Sequence, residues 1–289
     1  MAAQNWAIAV HGGAGNLARY KGTGRLEEAE VFLHKLISDM AALLSGGGTA
    51  LDVATAAVVR MEDSGLFHAG KGSSPNSEGY VEQDASIMNG ADLSAGAVTQ
   101  VRIVKNVIKL ARIIAESTPH VLVGGEPAHT IARASHLDLV DESYFVPCDI
   151  AASPATGTVG AVVRDQQGNF AAATSTGGTL RKAAGRIGDT PLIGSGTYAK
   201  NSIGAVSCTG QGEFFIRESA AYQVIARMEL LGESVGAATG HVLHQIHTLG
   251  GDGGIIALGP RGEVSMVFNT KGMYRAAIDA WGKTTVGVL

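Results

Sequence analysis

The sequence predicts an α+β protein in which layered antiparallel sheets are covered by helices, and three observations carry that prediction. Two stretches of the second half read as β-hairpins, segments with helical apolar spacing lie between and on either side of them, and the chain carries 40 glycines with only 17% charged residues. Glycine is thus about twice its usual share of ~7% while charge falls below the usual ~25%, so the surplus glycine sits among apolar residues rather than in a solvated linker.

The elements follow in order. Residues 6–10 are a continuous apolar run closed by HGGAG at 11–15, the pattern of a short buried strand. Over 25–44, Val31, Leu33, Leu36, Ile37, Met40 and Leu44 recur at helical spacing, and Glu27, Glu28 and Glu30 load the first turns. Glycines 46–48 stop that helix. Thr49 caps the next, whose apolar stripe of Leu51, Val53, Ala54, Ala57 and Val58 runs towards Met61. Residues 64–79 are a long loop punctuated by glycine and proline, and such loops are often functional. Strands are expected at 80–88 and 95–101, helices near 107–115 and 127–136, and 140–157 has no clear period. Residues 158–163 and 170–173 flank QQGN at 166–169 as a hairpin, and 255–258 pairs with 264–268 through GPRG at 259–262. Helices at 213–231 and 233–249 lie between the hairpins, separated at Gly232 and closed by Gly250 and Gly251. No repeat or low-complexity linker divides the chain, so 1–289 reads as one domain.

Composition excludes several classes of function. With 22 basic and 26 acidic residues the formal charge is −4, which leaves no electrostatic footprint for nucleic acid. Cys148 and Cys208 form neither a CxxC pair nor a metal spacing, so two reduced thiols in a cytoplasmic protein are expected. Residues 1–5 carry no basic region and the apolar run after them is short, so neither a secretory leader nor a membrane span is expected.

Three constellations bear on chemistry. GAGNLA at 13–18 matches the GxGxxA dinucleotide fingerprint, but YKGTG at 20–24 breaks the helix that a pyrophosphate site requires, so a structural turn is favoured. His241, His244 and His247 share a helix without a carboxylate to complete a metal set, which favours exposed or hydrogen-bonded histidines. The third is stronger. Thr158 follows Gly157 at the start of a strand, and STGG at 175–178, GRIGD at 185–189 and TGQG at 209–212 place threonine, arginine, aspartate and backbone amides in glycine-rich turns where they can converge on a ligand. A threonine hydroxyl needs a base to become a nucleophile. Cleavage between Gly157 and Thr158 would supply one, since a free α-amino group has a reference pKa of roughly 7.7 to 8. Arginine and aspartate together suit a substrate carrying an α-carboxylate and an α-ammonium group.

These residues resemble the plant-type asparaginase and isoaspartyl peptidase family of N-terminal-nucleophile hydrolases. The likeness runs nearly end to end, through HGGAG at 11–15, DASIM at 84–88, GTVGAV at 157–162, the three turns above, GGDGG at 250–254 and FNT at 268–270. It implies a four-layer αββα sandwich, made as a precursor that cuts itself between Gly157 and Thr158 into 1–157 and 158–289 and works as a dimer of cleaved heterodimers. It further implies that Thr158 is the nucleophile, supported by Thr176. Arg186 would hold the substrate α-carboxylate, and Asp189 with the Gly212 carbonyl its amino group. Thr209 and the Gly210 amide would form the oxyanion hole, consistent with the need for donors fixed before charge develops. The loop MEDSGLFHAGK at 61–71 resembles the family's sodium loop, with main-chain carbonyls of Met61, Glu62, Ser64, Phe67, Ala69 and Lys71 as ligands; its ordinary alternative is a loop held by its own hydrogen bonds. No organic cofactor is implied.

Two departures stand out. His68 occupies a place near the nucleophile where the family commonly has asparagine, which puts a group able to titrate near neutrality beside the site. The segment from Tyr144 to Ala155 is short for the family's tail before the nucleophile. The expected activity is release of L-aspartate from L-asparagine and from β-aspartyl dipeptides through a β-aspartyl ester on Thr158. The alternatives are an uncleaved amino-acid binder using Arg186 and Asp189, a glycosylasparaginase-like amidase and, from the glycine fingerprint, a nucleotide binder.

Overall fold

The computed structural model describes residues 4–145 and 157–289. Eight strands form one sheet, in the order β12 (Thr284–Gly287), β11 (Met273–Ile278), β1 (Ala7–Ala14), β5 (Val159–Arg164), β6 (Phe170–Thr176), β2 (Gln83–Asn89), β3 (Ala95–Val101) and β4 (Leu122–Gly124). All neighbours are antiparallel except β3 and β4. A second sheet of four antiparallel strands runs β10 (Val264–Phe268), β9 (Gly253–Leu258), β8 (Gly204–Gly210) and β7 (Thr197–Lys200).

The period of two along each strand decides the layers. In β1, Ile8 and Val10 pack with Leu33, Ile37 and Met40 of α1 (Arg25–Ser45), Val53 and Ala57 of α2 (Ala50–Ser64) and Ile108 of α3 (Val107–Ser117). Ala7 and Ala9 of the same strand face the other way, joining Val162 and Ala172 against Ala205, Ile256 and Leu258 of the second sheet. On that sheet's outer face, Val206, Cys208, Ile255 and Ala257 pack with Val224 and Ile225 of α6 (Ala220–Leu231) and Val242 and Ile246 of α7 (Val235–Thr248). The order is helix, sheet, sheet, helix, as the resemblance implies. Strands buried on both faces read as continuous apolar runs, which is why 6–10 shows no alternation.

Several local expectations hold: the helix at 25–44 is α1, and Thr49 caps α2 by accepting from the Asp52 amide at 3.2 Å. Others are corrected. β1 does not stop at Val10 but continues through the glycines to Ala14, with a bulge between His11 and Gly13 where it pairs with β11. The helix expected over 213–231 is two, α5 (Gly212–Glu218) and α6, because Ser219 takes left-handed angles (φ 47°, ψ 47°) and the Ala221 and Tyr222 amides bond to the Ser195 and Gly194 carbonyls. The helix expected near 127–136 is α4 (Gly125–Ala134). The expected strand at 80–88 starts only at Gln83. Strands β4, β7, β8, β11 and β12 were not foreseen; β8 and β11 mix glycine, hydroxyl or charged residues into their apolar pattern, and the others are three or four residues long. Cys208 is a free, buried thiol. Cys148 and most of the segment before Thr158, from 146 to 156, lie outside the described residues. No helix among the described residues is long and apolar enough to cross a membrane.

Candidate active site

The inner face of the sheet pair changes character along its length. In β8 the inward row runs Ala205, Ser207, Thr209, and in β6 it runs Ala172, Thr174, Thr176, so alanine gives way to hydroxyl residues towards one end. Thr158 stands at that end, one residue before β5, and His11 lies opposite Gly160 in the register of β1 with β5. The fold therefore puts Thr158 beside Thr176 of β6, with Thr209 on the inward row of β8 in the facing sheet.

Thr176 is the hub. Its Oγ1 donates to the Gly157 carbonyl at 2.9 Å, accepts from the Gly178 amide at 3.0 Å and accepts from Thr158 Oγ1 at 3.3 Å. Thr158 is nearly enclosed, and its carbonyl lies 2.9 Å from His11 Nδ1. Burial pushes the His11 pKa down to about 3, so the ring is neutral. A carbonyl can only accept, so Nδ1 carries the proton and Nε2 accepts from the Ser207 hydroxyl at 2.9 Å. From Ser207 a line of buried hydroxyls continues through Thr174, Thr197 and Ser86 to the Thr190 carbonyl. Sequence reasoning placed His11 at the end of an apolar run and in the HGGAG motif but missed this line, whose signal is a hydroxyl residue at every second position of the inner face.

The turns that carry Asp189, Arg186 and Thr209 are equally specific. Asp189 is buried, its Oδ2 has no partner among the described residues, and burial raises its pKa to about 7 against the lowering influence of Arg186. Gly212 packs so closely on it that a Cβ there would lie 2.8 Å from the Asp189 amide and carboxylate. Arg186 does not pair with Asp189. Its guanidinium instead donates to both oxygens of Glu213 at 2.8 and 2.9 Å, which holds it half-buried at the edge of the site. Thr209 Oγ1 is buried and unpartnered among the described residues, beside Gly210, whose φ of 152° lies in a region that favours glycine.

His68 packs against Gly157, since a Cβ on that glycine would meet the His68 Cβ at 2.9 Å. The expectation that it titrates near neutrality is corrected. Burial, aided by the Lys182 charge, lowers its pKa to about 4, and its Nδ1 meets the Ser74 hydroxyl at 3.2 Å. Lys182 is itself buried, donating to the Glu82 carbonyl at 2.9 Å with Asp84 Oδ2 at 3.9 Å. Burial lowers the lysine and raises Asp84 to about 6, so desolvation outweighs attraction at that separation.

Of the sodium-loop residues, Met61, Glu62 and Ser64 end α2, Phe67 and Ala69 follow, and Lys71 lies in a short 3-10 turn. Gly70 and Gly72 let this loop fold onto its own carbonyls, since a Cβ on Gly70 would lie 2.4 Å from Glu62 O and one on Gly72 2.0 Å from Phe67 O. The packed carbonyls fit the donor chemistry of a hard monovalent ion. The Met61, Phe67 and Ala69 carbonyls also accept bonds from Ser64 Oγ, Ala69 N and Gly72 N, so internal bonding is present as well. The Glu62 side chain points to a different task, accepting from Ser175 Oγ at 2.7 Å and the Ile108 amide at 3.2 Å, with burial raising its pKa to about 7.

The other two constellations resolve as structure. Gly13 belongs to β1 and presses on the Gly157–Thr158 peptide, where a Cβ would lie 3.0 Å from Gly157 Cα, and a 3-10 turn rather than an α-helix follows it. His241, His244 and His247 are exposed on α7, with His241 bonded to Glu233 at 3.0 Å, and no metal-ligating cluster of histidine, cysteine or carboxylates occurs among the described residues.

A family model described as "Asparaginase" matches residues 4–151 and 147–288. An isoaspartyl peptidase of Salmonella typhimurium is 41% identical over 97% of both chains, and one of Escherichia coli is 40% identical over 97% of this chain and 95% of its own. An isoaspartyl peptidase/L-asparaginase of Bos taurus is 39% identical over 94% of this chain and 93% of its own. With an αββα frame, a threonine cluster at one end of the sheet pair and matches along almost its whole length, the chain belongs to the asparaginase family of hydrolases.

Proposed function

We propose that this protein cleaves itself between Gly157 and Thr158 and then releases L-aspartate from L-asparagine and from β-aspartyl dipeptides. The observation that carries the reading is the Thr176 hydroxyl, which bridges Thr158 Oγ1 and the Gly157 carbonyl. In the precursor, Thr158 Oγ1 attacks the Gly157 carbonyl carbon while Thr176 polarises its oxygen. The C–N bond breaks, the nitrogen gains the proton, and water hydrolyses the resulting ester to leave 1–157 with a carboxylate and 158–289 with an amine.

In the mature site that amine takes the Thr158 hydroxyl proton, and the oxygen attacks the substrate side-chain carbonyl. Thr209 Oγ1 and the Gly210 amide receive the oxyanion, supported by the hydroxyl's lack of any other partner among the described residues. The proton passes to the departing ammonia or amino acid, and water then hydrolyses the β-aspartyl ester. Asp189 and the Gly212 carbonyl hold the substrate ammonium group and Arg186 its carboxylate, with Glu213 fixing the guanidinium.

Residues 1–289 act as one domain in a dimer of cleaved units in the cytoplasm, in keeping with a free buried thiol at Cys208. A sodium ion on the carbonyls of Met61, Glu62, Ser64, Phe67, Ala69 and Lys71 would stiffen the loop that carries His68 and takes no part in bond breaking. Intact mass tests the reading: wild type should split into 1–157 and 158–289, whereas Thr158→Ala should stay whole and inactive. A Thr158→Ala protein that splits, or hydrolyses these substrates, overturns it.

A further inference from the structure

Next to the Gly210 amide lies a cavity of about 360 Å³ whose wall includes Gly15, Asn16, Gly210, Asp252, Asn269 and Lys271. None of Arg186, Asp189 and Gly212 lines it, so it lies apart from the end of the site where the aspartyl group is held. Its wall nonetheless borders the segments that carry the site, since Ala14 follows Gly13 in β1 and Gly210 follows Thr209 in β8. Gly15 stands two residues beyond Gly13, where a Cβ would come within 3.3 Å of the Thr158 nitrogen. A substrate whose carbonyl oxygen sits on the Gly210 amide therefore has its acyl half towards Asp189 and this cavity open to its leaving half.

The wall is built rather than incidental. Asn269 Oδ1 accepts from the Gly253 amide at 2.7 Å and its Nδ2 donates to the Gly251 carbonyl at 3.1 Å, while Gln211 Oε1 accepts from the Asp252 amide at 2.9 Å. Asp252 has His247 Nδ1 at 3.9 Å. Lys271 is exposed at the cavity, and among the described residues it makes no hydrogen bond or ion pair. The volume lies at the small end of ligand sites, suited to one amino acid rather than a long peptide.

We propose that this cavity is the leaving-group subsite for β-aspartyl dipeptides and that Lys271 receives the α-carboxylate of the departing amino acid. The proposal rests on the amidohydrolase reading and deepens it. L-asparagine, whose leaving group is ammonia, does not reach Lys271, so the lysine sets the balance between the two substrate types. Asp252 on the same wall disfavours an acidic side chain on the leaving residue.

The test compares kcat/KM for L-asparagine, β-aspartyl-leucine and β-aspartyl-leucine amide in mature wild type, Lys271→Arg, Lys271→Ala and Lys271→Glu. The ratio of β-aspartyl-leucine to L-asparagine should fall about tenfold in Lys271→Glu, through KM, and less in Lys271→Ala, with recovery in Lys271→Arg. The amide, which lacks the carboxylate, should show no such fall. A ratio that stays constant across the variants, or that falls equally for the amide, overturns the subsite and leaves the amidohydrolase standing. A wild type that hydrolyses none of the three overturns both.

Discussion

At the scale of residues, the proposed role of Asp189 as the holder of the substrate ammonium group makes a pH prediction. The Asp189 pKa of about 7 comes from burial, and a substrate ammonium group needs the ionised form, so capture expels a proton wherever the free site is protonated. The Thr158 amine, with a reference pKa of ~7.7 to 8, must also be unprotonated to accept the hydroxyl proton. Both requirements act in one direction. For L-asparagine, log kcat/KM should therefore fall as pH drops, with a slope approaching two below about 7, the acid limb reporting groups of the free enzyme. A profile that keeps a slope of one down to pH 5 removes Asp189 from that limb. His68 adds nothing to such a curve, because a ring that stays neutral above about pH 4 does not change charge in the working range. The substitution that the sequence made conspicuous is thus electrically quiet, and its contact with Gly157 is steric.

At the scale of elements, the site depends on how closely β1, β5 and β8 approach one another. Gly160 of β5 faces the His11–Ser207 bond that ties the two sheets together, and a Cβ there would lie 2.1 Å from Ser207 Oγ and 2.4 Å from His11 Nε2. Neither group can retreat without breaking its bond, since both are fully buried. Gly160→Ala should lower stability by about 1–3 kcal/mol, seen as a reduced Tm, and should slow appearance of the 158–289 fragment by moving the Thr158 carbonyl off His11. Unchanged cleavage in a destabilised variant would separate the sheet contact from the reaction. The hydroxyl line from Ser207 follows the same logic, because burying four side chains of this kind is tolerable only when each finds a partner.

At the scale of the whole molecule, the layer between the sheets holds the site in place. Ile256 is fully buried there among Ala205, Val162 and other small residues, which leaves little freedom for the surroundings to collapse. Ile256→Ala should cost about 2–5 kcal/mol in denaturant unfolding of the unprocessed Thr158→Ala background, where a single chain unfolds. A loss well below 1 kcal/mol would mean that the sheets close up over the gap. The alanine-rich inner faces, Ala7, Ala9, Ala172 and Ala205, let the two sheets pack tightly enough for His11 to reach Ser207 directly.

By itself the sequence determined the elements whose patterns are local: the apolar stripes of α1 and α2, the Thr49 cap, both hairpins, and the order of glycine-rich turns that carries Thr158, Arg186, Asp189 and Thr209. It also named the family, because ordered motifs survive in a linear string. Tertiary structure alone decided what depends on approach across the chain. Strand β8 is hidden in a string of small and hydroxyl residues, and its inward row gains meaning only when Ser207 meets His11, 196 positions earlier. Likewise the pairing of Arg186 with Glu213 rather than Asp189, and the neutrality of His68, follow from burial and distance. Those quantities arise when the sheets stack, and no spacing within the sequence encodes them.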